Sequence, residues 1–356
     1  MSTIQAIHFP SSGGPASSFS LTTLPKPVPG PNDLLIHLHA CAINPIDTKV
    51  RQGAFPSHTT TGFDGAGTIT GLGCNVQNFK EGDEVYFSGA LGRQGTNAQY
   101  CLVDWRVVAR KPRSLGWDEA ACVPLVTLTA WELLEEHFGL VQVTDSNGGN
   151  DAAKERQGKK NILIVNGAGG VGSAATQLCR KVFGLGKVIV TASRKETEEH
   201  VKNLGATHVI SHREDVKKQL KEKVGVEKVE YVMICHGTNP YMATAVDIAA
   251  PKGRIGSIVE LGEGEKLEGI GSMDAFMKQL SFHWEVMLSK AVYDYELELQ
   301  GDILRRAAKL YDEGNLASLM TESDVLSVQS LIKAHEKIES GKAIGKIGFT
   351  IGDSIQ

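Results

Sequence analysis

Three glycines carry the first chemical signal. Gly167, Gly169 and Gly172 stand in the spacing G-x-G-x-x-G within KNILIVNGAGGVGSAATQ, residues 160–177. An apolar, β-branched run at 162–165 precedes them, long enough for one buried strand. Behind the small residues Ser173, Ala174 and Ala175, Leu178 and Val182 come at helical spacing. A strand, a glycine turn and a helix in that order are the setting in which this spacing binds a dinucleotide. Gly167 can turn tightly without a Cβ, Gly169 lets the backbone approach a pyrophosphate, and Gly172 lets the helix pack close to the strand. The helix start offers free N–H groups and the positive end of its dipole to the diphosphate. The predicted cradle is therefore Gly167, Ala168, Gly169, Gly170, Val171 and Gly172, with an ordinary glycine turn as the alternative.

The residues after the next strand discriminate between coenzymes. That strand, KVIVT at 187–191, leads into Ala192, Ser193, Arg194 and Lys195. An NAD site places an acid about 20 residues after the glycines, on the ribose hydroxyl. Here no carboxylate appears before Glu196. A hydroxyl and two cations suit a 2′-phosphate, which Arg binds in bidentate fashion. Ser193, Arg194 and Lys195 thus predict NADPH over NADH. The competing explanation, cations that merely solvate a helix start, runs against the helix dipole.

The elements that must hold these residues are legible around them. From Asn161 onward strands alternate with helices. Strands fall at 162–165, 187–191, 208–211, 231–235 and 253–259, with helices such as 195–204 and 214–223 between them. This pattern predicts a doubly wound parallel sheet. Before it, short β-type runs at 4–9, 19–24, 33–42, 97–103 and 106–109 are separated by proline and glycine. Gly65, Gly67, Gly71 and Gly73 punctuate 62–85 without a following helix, as in a small, tightly turning β-barrel. His37 and His39 share one strand face, an exposed or barrel-edge face rather than a metal site. Residues 124–138 have helical spacing. Residues 141–160 are polar and glycine-containing and read as a mobile surface insertion. Helices are predicted at 302–313 and 331–340, and a closing strand at 345–351.

Composition sets limits on function. The 356 residues suggest two domains. A net charge of −4 with scattered cations gives no nucleic-acid surface. No apolar run reaches membrane-spanning length, and the N-terminus lacks a basic segment followed by a long apolar core. The six cysteines contain no C-x-x-C pair, so neither a disulfide framework nor a structural zinc cluster is expected. Scattered thiols fit a reducing compartment, and a cytoplasmic location is the expectation.

Taken in order, INPIDTKVRQG, GFDGAGTITGLG, FKEGDEVYF, VPLVTLTAWELL, VNGAGGVGSAATQL and ESGKAIGKIGFTI give the chain its resemblance to the medium-chain dehydrogenase/reductase superfamily. It looks closest to the zinc-free quinone oxidoreductase branch. The resemblance implies an α/β protein with a GroES-like β-barrel catalytic domain from residues 1–128 and 290–356. A Rossmann domain would span 129–289, with the active site in a cleft. A homodimer is implied, with the SFHWEVM segment at 281–287 at the interface or in the cleft.

The resemblance also exposes departures. Zinc-type alcohol dehydrogenases carry Cys where this chain has Asn44, and His-Glu where it has Phe63-Asp64. Catalytic zinc needs three protein ligands, which Asn and Phe do not supply, so no metal is expected. Without a Lewis acid the substrate must already accept hydride, as quinones and α,β-unsaturated carbonyls do. The family roles then fall on Asn44, donating near the substrate carbonyl or the nicotinamide ribose, or else capping the turn before Pro45. Thr127 and Thr129 would contact the nicotinamide, or serve as plain helix-start threonines. His212 would help hold the 2′-phosphate, or be a solvated surface histidine. Lys346 lies in a segment that returns to the cofactor. Two other functions stay open: a non-enzymatic NADPH-binding protein, and a zinc alcohol dehydrogenase with unusual ligands.

Overall fold

Strand pairing and packing divide the chain into two units, Met1–Leu128 with Met287–Gln356, and Thr129–Val286. A computed structural model gives the fold for residues 2–10, 13–55, 59–143 and 150–355. The strands in chain order are β1 Thr3–His8, β2 Ser20–Pro25, β3 Asp33–Ile43, β4 Asp64–Leu72, β5 Glu84–Ser88, β6 Tyr100–Asp104 and β7 Val108–Arg110. Next come β8 Asn161–Val165, β9 Lys187–Thr191, β10 His208–Ile210, β11 Val229–Ile234, β12 Ala249–Ser257, β13 Ser281–Trp284, β14 Met320–Val325 and β15 Lys346–Thr350.

In the first unit, both ends of the chain enter one sheet in the order β14-β15-β3-β4-β5-β7, with β6 also paired to β3. This is the GroES-like domain. The long β3 forms its centre, antiparallel to β15, β4 and β6. The glycines of β4 are needed for closeness. A Cβ on Gly67 would meet the His37 carbonyl oxygen at 2.1 Å. Two register shifts between β3 and β4 bend the sheet there. His37 stacks on Tyr100, and His39 packs against Trp117 while bonding the Thr68 hydroxyl at 2.9 Å. The strand expected at 106–109 starts only at Val108, because Asp104 accepts from the Arg106 N–H and winds Trp105–Val107 into a 3-10 turn.

The second unit is a six-stranded sheet in the order β10-β9-β8-β11-β12-β13, parallel throughout. Chain order reverses between β8 and β11, the arrangement of a doubly wound Rossmann sheet. Covered on both faces, its central strands β8, β9 and β11 carry continuous apolar runs at 162–165, 188–190 and 231–234. Leu163, Ile189, Val232, Ile234 and Ile255 are all buried, each contributing about 1.5–3 kcal/mol.

Residues 141–160 differ from expectation. Residues 144–149 of that segment lie outside the described ones, but Asp151–Gln157 is a helix whose first turn is capped by Asn150. Gln157 is 1% exposed, and its amide bonds the Val141 N–H, the Val141 carbonyl and the Phe183 carbonyl. The anchor that ties this stretch down is polar, so hydropathy gave no sign of it. No helix among the described residues is long and apolar enough to cross a membrane.

Candidate functional site

The sheet of the first unit brings together residues far apart in sequence. Lys346 opens β15, Asn44 follows the last residue of β3, and Asp64 opens β4. The antiparallel register sets Ile347 opposite Ile43 and Ala42 opposite Asp64, so the three side chains meet at one end of neighbouring strands. The Lys346 ammonium donates to Asp64 Oδ2 at 2.9 Å, Asn44 Oδ1 at 2.5 Å and the Ile43 carbonyl at 2.9 Å. Asn44 Nδ2 donates to Asp64 Oδ2 at 2.8 Å, and the Leu125 N–H donates to Asp64 Oδ1 at 2.8 Å. Asn44, Asp64 and Lys346 are 0%, 0% and 3% exposed.

An amide side chain has one accepting and one donating end. Here the two ends face a cation and an anion, so only one orientation of Asn44 satisfies both. Asn44 does precede the helix Pro45–Arg51 (α1), but its side chain does not cap it. Asp47 secures that turn instead, accepting from the Asn44 N–H and the Gly62 N–H at 2.8 Å each. The sequence alone left Asp47 outside the candidate site. It orients the loop, and its contact with Gly62 also ties the approach to β4.

Burial pushes the Asp47 carboxyl up to about 7, while the two N–H bonds and the Lys346 charge pull the other way. A folded-state value above the ordinary 3.8 means that the folded chain holds this proton more tightly. Asp47 therefore favours folding most below about pH 4, and that contribution is lost as pH rises to about 7. Asp47→Asn should flatten this component of the pH dependence in urea unfolding at fixed ionic strength. An unchanged slope over that window would mean that the carboxyl does not titrate there.

Thr127 and Thr129 both lie on the helix Pro124–Glu132, and both are buried. Two residues apart on a helix, they point to different sides of it. That helix runs on into a π-helical turn, Leu133–His137.

In the second unit, the glycine turn follows β8 and opens the helix Gly170–Gln177, with Gly169 at the N-cap. A Cβ on Gly167 would meet Val190 Cγ1 at 2.3 Å, and one on Gly172 would meet Gly167 Cα at 2.4 Å. A Cβ on Gly169 would meet nothing within 4 Å beyond its chain neighbours. Two glycines thus serve packing, and the middle one leaves the backbone open. Asn166 enters the turn at φ 55°, its N–H bonded to Thr191 Oγ1 and its amide to the Tyr241 hydroxyl.

At the end of β9, Ser193 Oγ lies 3.2 Å from the His212 ring nitrogens and 3.4 Å from Ser211 Oγ. Burial, then Arg213 and His236, lower the His212 pKa. Arg194 precedes the helix Lys195–Asn203 and pairs with Glu196 at 3.3 Å, while Lys195 is exposed. The fold therefore joins Ser193 to His212, and Asn44 to Lys346.

The metal question can be put to the same donor set. Phe63 offers no ligand atom, Asn44 offers an amide already held at both ends, and Asp64 holds the lysine ammonium. These residues do not fit a three-ligand zinc site. Among the described residues, no three His, Cys, Asp or Glu side chains converge as a metal site.

Comparison with known proteins gives the same architecture. Residues 30–113 match the alcohol dehydrogenase GroES-like domain, and residues 170–299 match the zinc-binding dehydrogenase family. A zinc-type alcohol dehydrogenase-like protein of Staphylococcus aureus is 34% identical over 92% of this chain and 93% of its own length. A 2-methylene-furan-3-one reductase of Solanum lycopersicum is 29% identical over 89% and 71%. An NADPH-dependent alkenal/one oxidoreductase of Arabidopsis thaliana, chloroplastic, is 37% identical over 55% and 49%. The crystal structure of a putative zinc-dependent alcohol dehydrogenase from Rhizobium etli superposes with a TM-score of 0.84 at 35% identity, over the whole of both chains. Ordered motifs, fold and relatives agree: the chain belongs to the medium-chain dehydrogenase/reductase superfamily of oxidoreductases.

Proposed function

We propose that the protein is an NADPH-dependent reductase of α,β-unsaturated carbonyls and quinones that works without a catalytic metal. The observation that carries the coenzyme reading is the open backbone at Gly169 together with the Ser193–His212 pair at the end of β9. The Gly167–Gly172 turn would hold the diphosphate, and Ser193, Arg194, Lys195 and His212 the 2′-phosphate. The NADPH-dependent plant relative supports that choice, and the two plant reductases support an enone acceptor. The quinone half rests on the family resemblance.

Bound NADPH supplies the hydride. The chain's own part is to align and polarise the acceptor. Conjugation carries the incoming charge to the carbonyl oxygen, where hydrogen bonds suffice to stabilise it. Asn44 is the proposed donor through its second Nδ2 N–H, the first being held by Asp64 while Lys346 holds its oxygen. Thr127 and Thr129 are the proposed contacts to the nicotinamide. Lys346 directs its charge into the Asn44–Asp64 network, so we assign it to positioning rather than to the nucleotide. Water supplies the proton.

Steady-state assays with both coenzymes across a panel of enones, quinones and alcohols test this reading. NADPH should be preferred over NADH by kcat/KM. Replacing Arg194 and Lys195 by Ser should erode that preference at least tenfold, about 1.4 kcal/mol. Equal use of NADH would refute the phosphate assignment. Activity lost to a chelator and regained with zinc would refute metal independence, and NADPH binding without turnover would favour a binding protein.

We also propose a homodimer joined along β13. That strand ends the sheet, and Trp284 is 41% exposed on it. The neighbouring helix Met273–Met277 leaves Met273, Phe276 and Met277 more than two-thirds exposed. Light scattering should give twice the chain mass, and Phe276→Glu should lower it; a monomer would dismiss the proposal.

A further inference from the structure

At the opposite ends of the strands from the glycine turn, the second unit has a hollow of about 400 Å³, large enough for a small metabolite. Five charged side chains line it: Arg156, Lys160, Lys252, Arg254 and Glu230. Four cations against one carboxylate leave a formal charge of +3 around it. Such a cluster repels itself, and a bound anion would relieve that repulsion.

The cations are not all loose surface side chains. Lys160 donates to the Tyr231 hydroxyl at 3.0 Å and lies over the Tyr231 ring at 5.3 Å from its centroid. Arg254 Nη1 donates to the His137 carbonyl at 2.9 Å. Its other guanidinium N–H groups have no protein acceptor among the described residues. Glu230, the one anion, already accepts from the Asn161 N–H at 2.7 Å. Arg156 and Lys252 are exposed and have no side-chain partner among the described residues.

The backbone is also shaped for this arrangement. Val229 of β11 faces Ala249 of β12, but Tyr231 faces Arg254, so the intervening residues of β12 bulge out of the ladder. Lys252 sits on that bulge at φ 60°. A non-glycine residue in this region costs about 1–2 kcal/mol. Strained residues of this kind concentrate at binding sites. Phe138 stacks on Tyr231 at 5.2 Å and 23°, and both rings line the hollow.

We propose that this hollow binds a compact anion of at least two negative charges, carried on phosphate or carboxylate groups. The site is separate from the glycine turn. β8 runs between them, from Asn161 beside the hollow to Val165 before the turn, about 16 Å for five residues. The ligand would bridge the fixed pair, Lys160 and Arg254, and the free pair, Arg156 and Lys252.

The test is calorimetric titration of the full chain at fixed ionic strength, with pyrophosphate and, separately, citrate. Two double variants of equal charge are compared, Arg156→Ser with Lys252→Ser, and Lys218→Ser with Lys333→Ser. Both pairs are exposed, so folding is preserved. The first should weaken binding at least tenfold, and the second no more than about twofold. Pyrophosphate binding alone would identify a phosphate ligand, and citrate binding alone a carboxylate ligand. Pyrophosphate held by the glycine turn would survive in both variants, so an Arg156/Lys252 variant that keeps the parent's number of sites and affinity for both anions overturns the proposal. So does the absence of binding by both anions at 10 mM, a concentration about tenfold above a millimolar Kd.

Discussion

Lys346→Met should destabilise the chain by about 3–5 kcal/mol in urea unfolding, the cost of stranding one partner of a buried ion pair. Asp64 is fully buried, and its Oδ2 accepts from both Lys346 and Asn44. Without the ammonium, its charge would have only the Asn44 amide and the Leu125 N–H to support it. Asn44 would also lose the donor to its oxygen, and with it one of the two contacts that fix its orientation. Turnover should fall about 100-fold, the effect expected when a positioning residue lets a reacting group shift by about 1 Å.

A second variant separates stability from positioning. Adding Asp64→Asn to Lys346→Met removes the stranded charge, so most of the lost stability should return. The Asn44 amide is then free to turn over, its oxygen accepting from the new amide at position 64. Its donor would point away from the direction that Lys346 enforces. The double variant should therefore be nearly as stable as the parent and still slow. If turnover returns along with stability, Lys346 serves the fold alone, and the role given to Asn44 loses its support.

Much of the second unit was legible in the sequence because each element states its own identity. The run at 162–165 is all apolar, and KVIVT at 187–191 forms the whole of β9. Parallel strands covered on both faces need no alternation, so apolar runs punctuated by glycine suffice to find them. The Asn44–Asp64–Lys346 network was legible only in fragments. Lys346 is separated from Asn44 by nearly the length of the chain, and only the register of β15 on β3 brings them together. Asp64 was visible as a departure from a zinc ligand pattern, without a sign of what it does instead. Gln157 shows the same limit. A buried glutamine whose amide holds two carbonyls and an N–H looks, in sequence, like any residue of a polar surface stretch. Periodicity finds apolar contacts, while hydrogen-bonded polar anchors depend on partners that only the fold supplies.

One chemical change at three positions should give three different results. Gly172→Ala places a Cβ 2.4 Å from Gly167 Cα and 2.6 Å from the Gly167 carbonyl oxygen. Backbone cannot rotate aside as a side chain can, so the helix Gly170–Gln177 must shift away from β8, at about 3 kcal/mol. Gly167→Ala meets Val190 Cγ1 at 2.3 Å, a side chain held in the sheet, and should cost about 1–3 kcal/mol. Gly169→Ala meets nothing within 4 Å, and its φ of −77° suits any residue. Its effect on stability should stay within about 1 kcal/mol, the scale of a changed N-cap. Its new methyl instead fills the space where a diphosphate would approach the backbone. The KM for NADPH should rise at least tenfold in Gly169→Ala, while kcat at saturating coenzyme changes little. The contrast discriminates because a turn built for packing alone predicts the same order of stability but leaves the KM for NADPH unchanged in Gly169→Ala. NADPH binding to Gly169→Ala as tightly as to the parent would mean that the diphosphate does not rest on this turn.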